Sequence, residues 1–233
     1  MNDADTSRRD RVRVVSPAFK AAMVGLVAYG VTDSFTDPLK LVNPLRYFTI
    51  QSSIALGLLM LYLCVLELRG VRVPSRLETL LRGCVLLASS VTGIVFHVLL
   101  APELPRVEFP SHVLHTILPI AAVLEWLLFE RKGVFRYRHI AVWLAYPLAY
   151  LSANLVAALF DGFYPYGFMD AAQLGYGGVG LYTLVLIAVF AALGAAYVAV
   201  DRLLGRRRDV GRSTREGSGS AAEGSVLRAR PKI

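Results

Sequence analysis

Thr49 and His115 are the residue types from which a minimal acyl-transfer site is built, a hydroxyl that can act as nucleophile and an imidazole that can take its proton. An apolar setting disfavours the imidazolium and keeps His115 a neutral base, while the free N–H groups at a helix N-terminus could steady a developing oxyanion. His112 stands three residues before His115 and shares its helical face, and His97 is a further histidine within reach. These three could instead ligate a metal or a haem. Against that, no acidic residue stands at ligand spacing within the apolar runs, since Glu103 and Glu108 fall in a Pro-rich stretch. The reading is therefore of a site without metal or cofactor. A plainer alternative stands beside it, because a first-turn threonine often caps its helix and a histidine near a membrane boundary often bonds a neighbouring helix.

The elements that hold these residues follow from composition. The 233 residues are 55% hydrophobic and only 18% charged, which excludes a soluble enzyme, a disulfide-rich secreted scaffold and a disordered chain. A bilayer core of about 30 Å needs roughly 20 apolar residues in a helix. Six runs meet that length, at about 17–35, 47–66, 83–101, 111–129, 140–160 and 174–200. The predicted fold is all-α, an integral membrane bundle of six transmembrane helices over residues 17–204. A basic segment, 1–16, precedes it and a basic tail, 205–233, expected to be disordered, follows.

Charge sets the expected direction. Of the 25 Lys and Arg, all but Lys40, Arg46 and Arg106 lie in the N-terminal segment through Lys20, the loops after the second and fourth runs, or the stretch after Asp201. By the positive-inside rule both termini are expected in the cytoplasm, with the protein in the plasma membrane. The net charge of +8 thus reports topology rather than a nucleic-acid partner. Arg8 and Arg9 before an apolar stretch could suggest a cleaved signal, but no small-x-small site follows cleanly.

Topology converts position into depth. Thr49 and Gln51 open the second span and His112 and His115 the fourth, all within one or two turns of the outer boundary, while His97 and Asn154 approach the same level from the other direction. Tyr164 lies just beyond. Polar groups within spans are functional candidates by default, so His112, His97, Asn154, Gln51 and Tyr164 are expected to support the site or bind substrate. The inner halves are blander apart from Glu125, read as a structural carboxylate that snorkels or pairs with a loop arginine. Tyr47, Trp126, Tyr164 and Tyr166 read as interfacial anchors, and Gly175, Gly177, Gly178 and Gly180 as places of close helix approach. Cys64 and Cys84, embedded in apolar runs, read as small apolar residues.

Leu45-Arg46-Tyr47-Phe48-Thr49 and Ser111-His112-Val113-Leu114-His115-Thr116-Ile117-Leu118-Pro119 are two further stretches of note. They resemble the signature regions of the androgen-induced membrane protein family, which includes the androgen-dependent TFPI-regulating protein. The Tyr164-Pro165 pair is similar to a further family feature, whereas Ser111 stands where the family has asparagine and the surroundings of Gln51 differ. The resemblance, that of a bacterial relative, implies a six-span hydrolase of fatty acid esters with Thr49 as nucleophile and His115 as base. The expected partners are membrane lipids and a lipid-like substrate, with oligomeric state open. The alternatives are a small-molecule transporter or channel, and a haem- or metal-binding membrane protein.

Overall fold

The computed structural model describes residues 3–36, 43–71, 75–103 and 106–228, with side chains between 14 and 206. Lys40, Arg72 and the side chains of Glu103 and of the tail after Arg206 lie outside the described residues. Every described element is helical: α1 (Asp3–Thr36), α2 (Phe48–Leu68), α3 (Arg76–Leu100), α4 (Phe109–Phe129), α5 (Arg138–Asp161) and α6 (Ala171–Arg228), with short 3-10 turns between them. Among the described residues, six helical segments are long and apolar enough to cross a membrane. Only α-helices and closed barrels satisfy their backbone polar groups in lipid, so hydropathy and helicity have one cause here.

The ends of the helices follow local chemistry. α3 begins at Arg76, seven residues before the expected 83, because the Ser75 side chain accepts the Glu78 N–H and caps the helix. Such a cap contributes about 1 kcal/mol. α5 ends where Gly162 takes a left-handed φ of 67°, its N–H donating to the Ala158 carbonyl. Within α6, Gly175 has φ 65° and ψ 165°, a break that separates its first turn from the long helix beyond.

α3 is the hub, packed against α2, α4, α5 and α6, while α1 lies along α2 and α4. Its run of small residues, with Gly83, Ala88, Ser89, Ser90, Thr92 and Gly93 all buried, lets its neighbours close in. Gly93 shows the limit: a Cβ there would stand 2.9 Å from the His115 carbonyl oxygen and 3.2 Å from the Pro119 ring. Of the glycines expected to bring helices together, Gly177 and Gly180 have nothing within reach of a Cβ; tight approaches between helices fall instead at Gly30, Gly57, Gly93 and at Gly83, which faces Trp143. Trp126 is likewise not an interfacial anchor. It is 5% exposed, stacked on Phe135 with centroids 6.0 Å apart and met edge-on by Tyr197.

Two polar regions result, separated by an apolar middle that includes Leu56, Leu59, Met60, Leu87 and Leu118. One surrounds Thr49, the other Glu67, at opposite ends of α2. Eighteen residues of helix put them about 27 Å apart.

Candidate active site

Thr49 occupies the first turn of α2, preceded by the 3-10 turn Pro44–Arg46. Pro44 presets the turn, and Tyr47, the N-cap, makes no side-chain cap bond to the first N–H groups of α2. One of them is met from elsewhere in the chain. Tyr166, in the loop between α5 and α6, accepts the Thr49 N–H on its phenolic oxygen at 3.4 Å.

His115 lies within α4 where residues Val113–Ile117 are wound as a π-helical turn, and Phe96, the residue before His97, starts a second π turn at the end of α3. Single π turns in α-helices are frequent at functional sites. Here the two meet: the Phe96 ring stacks on the His115 imidazole with centroids 3.9 Å apart and planes at 16°, sealing one face of it.

The imidazole has a partner on each nitrogen. Nδ1 lies 2.8 Å from the Ser111 carbonyl oxygen and 3.1 Å from Ser111 Oγ; Nε2 lies 3.1 Å from Thr49 Oγ1. A carbonyl can only accept, so Nδ1 carries the proton and donates it to Ser111. Nε2 is then a lone pair, and the Thr49 hydroxyl donates to it. A buried hydroxyl, 7% exposed, thus points at a base whose other side is fixed by the backbone. Such an arrangement can deprotonate the threonine oxygen as it attacks an electrophile.

On the other side of Thr49 is a cavity of about 760 Å³, counting its open mouth, between α2, α3, α5 and α6. Its walls are mostly apolar, with Leu144, Pro147, Leu151, Leu186, Ile187 and Phe190 among them. Pro147 interrupts the backbone bonding of α5 at this level. The lining suits a hydrocarbon chain.

The other expected site residues fall in different places. His97 is exposed, and its Nε2 lies 2.9 Å from Thr116 Oγ1, next to His115 but not touching it. His112 is exposed on the same turn of α4. Gln51 donates through Nε2 to the Leu45 carbonyl at 2.8 Å, tying down the turn before α2. Asn154 is 3% exposed and belongs to a clamp around Arg46: Asn154 Oδ1 accepts from Arg46 Nε at 2.6 Å, and Asp161 Oδ2 accepts from the same guanidinium at 2.5 Å. The Phe163 carbonyl adds a third bond at 3.0 Å, and Tyr150 donates to the Arg46 carbonyl at 2.8 Å. The clamp therefore binds the start of α2 to the end of α5 and to the loop that carries Tyr166. Tyr164 is half-buried in that loop, two residues from the tyrosine that reaches Thr49. Among the described residues no group of three His, Cys, Asp or Glu is disposed to hold a metal ion.

Four contributors are not marked by the sequence for these roles: Tyr166, whose place near a span end suits an anchor; Ser111, which departs from the family pattern; Arg46, which stands in a signature stretch with no role attached to it; and Phe96. Arg46 carried a signal, as one of few cations on its expected side of the membrane. The Ser111 contact runs through a backbone carbonyl, which any residue has.

At the far end of α2, Lys20 is fully buried and pairs with Glu125 Oε1 at 2.7 Å and Glu67 Oε1 at 3.1 Å, while Ser16 accepts a further bond from it at 2.8 Å. Glu125 is therefore a structural carboxylate whose partner is a helix lysine rather than a loop arginine. Arg82 pairs with Glu78 at 2.8 Å and with Glu130, just past α4. Burial, and then the neighbouring Glu125, push the Glu130 carboxyl up to about 7, against the opposing pull of Arg82 and Lys20.

The comparison with curated proteins gives no match, and neither does that with solved structures. A family model, described as FAR-17a/AIG1-like protein, matches residues 92–200. The match takes in His97, His112, His115, Asn154 and Tyr164 and begins after Thr49. The six candidate spans make this a membrane protein, and from the last turns of α3 into α6 it is similar to the FAR-17a/AIG1-like family.

Proposed function

We propose that this protein is an intramembrane threonine hydrolase of fatty acyl esters. One observation carries the reading: Thr49 Oγ1 stands 3.1 Å from a His115 Nε2 that is free to accept, on the wall of an apolar cavity. The Thr49 hydroxyl attacks the ester carbonyl and gives its proton to Nε2. The tetrahedral intermediate collapses, the C–O bond to the alcohol breaks, and the alcohol leaves with the proton from Nε2. Water, deprotonated by His115, then attacks the acyl-threonine; the C–O bond to Thr49 Oγ1 breaks, Nε2 returns its proton to that oxygen, and the fatty acid is released. The Ser111 carbonyl holds the Nδ1 proton throughout and so steadies the transient imidazolium. The acyl chain lies in the cavity beside α5 and α6. By charge asymmetry both termini are cytoplasmic, which puts the site in the outer leaflet of the plasma membrane.

The test is intact-mass analysis and peptide mapping of detergent-purified protein treated with a lipid-like fluorophosphonate. A single adduct on Thr49, absent in Thr49→Ala, is the expected result. A folded protein that takes no adduct would overturn the assignment.

A further inference from the structure

The attack described above leaves a negative charge on the carbonyl oxygen, and a site in low dielectric needs a donor aimed at it. Five polar side chains line the cavity: Thr49, Thr92, Tyr150, Tyr166 and Thr183. Four are committed elsewhere. Thr49 donates to His115, Tyr150 donates to the Arg46 carbonyl at 2.8 Å, Thr183 donates to the Val179 carbonyl at 2.8 Å, and Thr92 Oγ1 is paired with Ser52 Oγ at 3.2 Å. Among the described residues, Tyr166 alone of the five donates to no group outside the reacting threonine: its oxygen accepts the Thr49 N–H at 3.4 Å, and the Thr49 side chain is its other hydrogen-bonding neighbour.

We infer, resting on the hydrolase reading, that the Tyr166 hydroxyl is the oxyanion donor of this site, giving its hydrogen bond to the ester carbonyl oxygen as Thr49 attacks. Three further features support this role. The Tyr166 ring is rigidly held, stacked on Phe168 with centroids 5.1 Å apart and met edge-on by Tyr47 at 5.6 Å. Burial pushes its phenol above the usual 10, countered in part by the Thr49 side chain and by the Thr49 and Phe48 backbone, so the group stays protonated and able to donate. Accepting a backbone N–H at the positive end of α2 polarises the O–H and strengthens it as a donor. No proton leaves Tyr166 in the cycle. The bond forms as charge builds on the carbonyl oxygen and is released when the C–O bond breaks.

The experiment compares wild type, Tyr166→Phe and a chain carrying 3,5-difluorotyrosine at 166. It measures the rate of fluorophosphonate labelling of Thr49 and the kcat and KM for a long-chain nitrophenyl ester. Tyr166→Phe keeps both ring contacts, and the expected result is a loss on the order of 100-fold in labelling rate and kcat with KM little changed. The fluorinated chain preserves the shape of the site, and its labelling rate should fall as pH rises through the lowered phenol pKa, where wild type stays level. Labelling of Tyr166→Phe within about threefold of wild type, or a fluorinated chain with the wild-type pH profile, overturns the oxyanion role and leaves the hydrolase reading standing. Absence of labelling in folded wild type is a different failure, that of Thr49 as nucleophile, and takes this proposal with it.

Discussion

Thr49 Oγ1 and His115 Nε2 stand 3.1 Å apart although 66 residues separate them in the chain. Neither is placed by its own helix alone. The Arg46 clamp seats the first turn of α2, and the π turn of α4 turns the imidazole towards it. If this contact is the reaction centre, Thr49→Ala and His115→Ala should each lower ester hydrolysis by at least about 1,000-fold, in line with removal of a member of a nucleophile and base pair. Melting temperatures should stay within a few degrees. Hydrolysis by either variant at a tenth of the wild-type rate would break the assignment.

Ser111 offers His115 both a carbonyl and a hydroxyl, at 2.8 and 3.1 Å. The carbonyl suffices to fix the tautomer, and it survives mutation. Ser111→Ala should therefore cost less than about tenfold in kcat, the worth of one ordinary hydrogen bond of about 1 kcal/mol. A loss nearer that of His115→Ala would mean that the hydroxyl orients the ring.

Gly93 lies where α3 meets α4 beside the site. Gly93→Ala inserts a methyl 2.9 Å from the His115 carbonyl oxygen, so α4 must move. Overpacking of this kind costs about 1–3 kcal/mol, and a displacement of about 1 Å at the reacting atoms costs on the order of 100-fold in rate. A lowered melting temperature with an even larger proportional loss of activity is expected. Gly25→Ala, at a position with nothing within 4 Å of a Cβ, is the control that should change neither.

Lys20 is the counter-ion of a carboxylate that is only 3% exposed. Lys20→Met leaves Glu125 charged and buried, and loss of one partner of such a pair costs about 3–5 kcal/mol. Adding Glu125→Gln removes the orphaned charge and should recover more than half of the loss. Thermal unfolding in one detergent reads both. A double variant no more stable than Lys20→Met would show that the pair is not the source of the effect.

Glu130 supplies a pH dependence whose sign is set by its environment. Its carboxyl rises from the ordinary 4.5 to about 7 in the folded protein, so between those values the native state binds more proton than the unfolded one. Stability from this group is complete below about 4.5 and is lost as pH rises through about 7, at up to about 1.4 kcal/mol per unit. The melting temperature should fall between pH 5 and 8, and Glu130→Gln should flatten that slope. An unchanged slope in the variant would assign the dependence to other groups.

Hydropathy and length are enough to determine the six spans, because in lipid a backbone must bond within its own helix and about 20 apolar residues then define a crossing. The start of α3 lies seven residues ahead of its apolar run because the cap made by Ser75 extends the helix into polar sequence. Thr49 and His115 are legible through the signature stretches around them, and the placing of three histidines at one level follows from counting residues along helices. What the sequence does not determine is rotation. A helix in a bilayer is apolar on both its packed and its lipid-facing sides, so no stripe of polarity marks which face turns inward. Only packing decides that Tyr166 rather than Tyr164 reaches Thr49, that Asn154 serves Arg46 rather than His115, that Trp126 is core, and that Glu125 finds Lys20. Each of these depends on contacts between helices far apart in the chain, which close because small residues of α3 let the backbones approach.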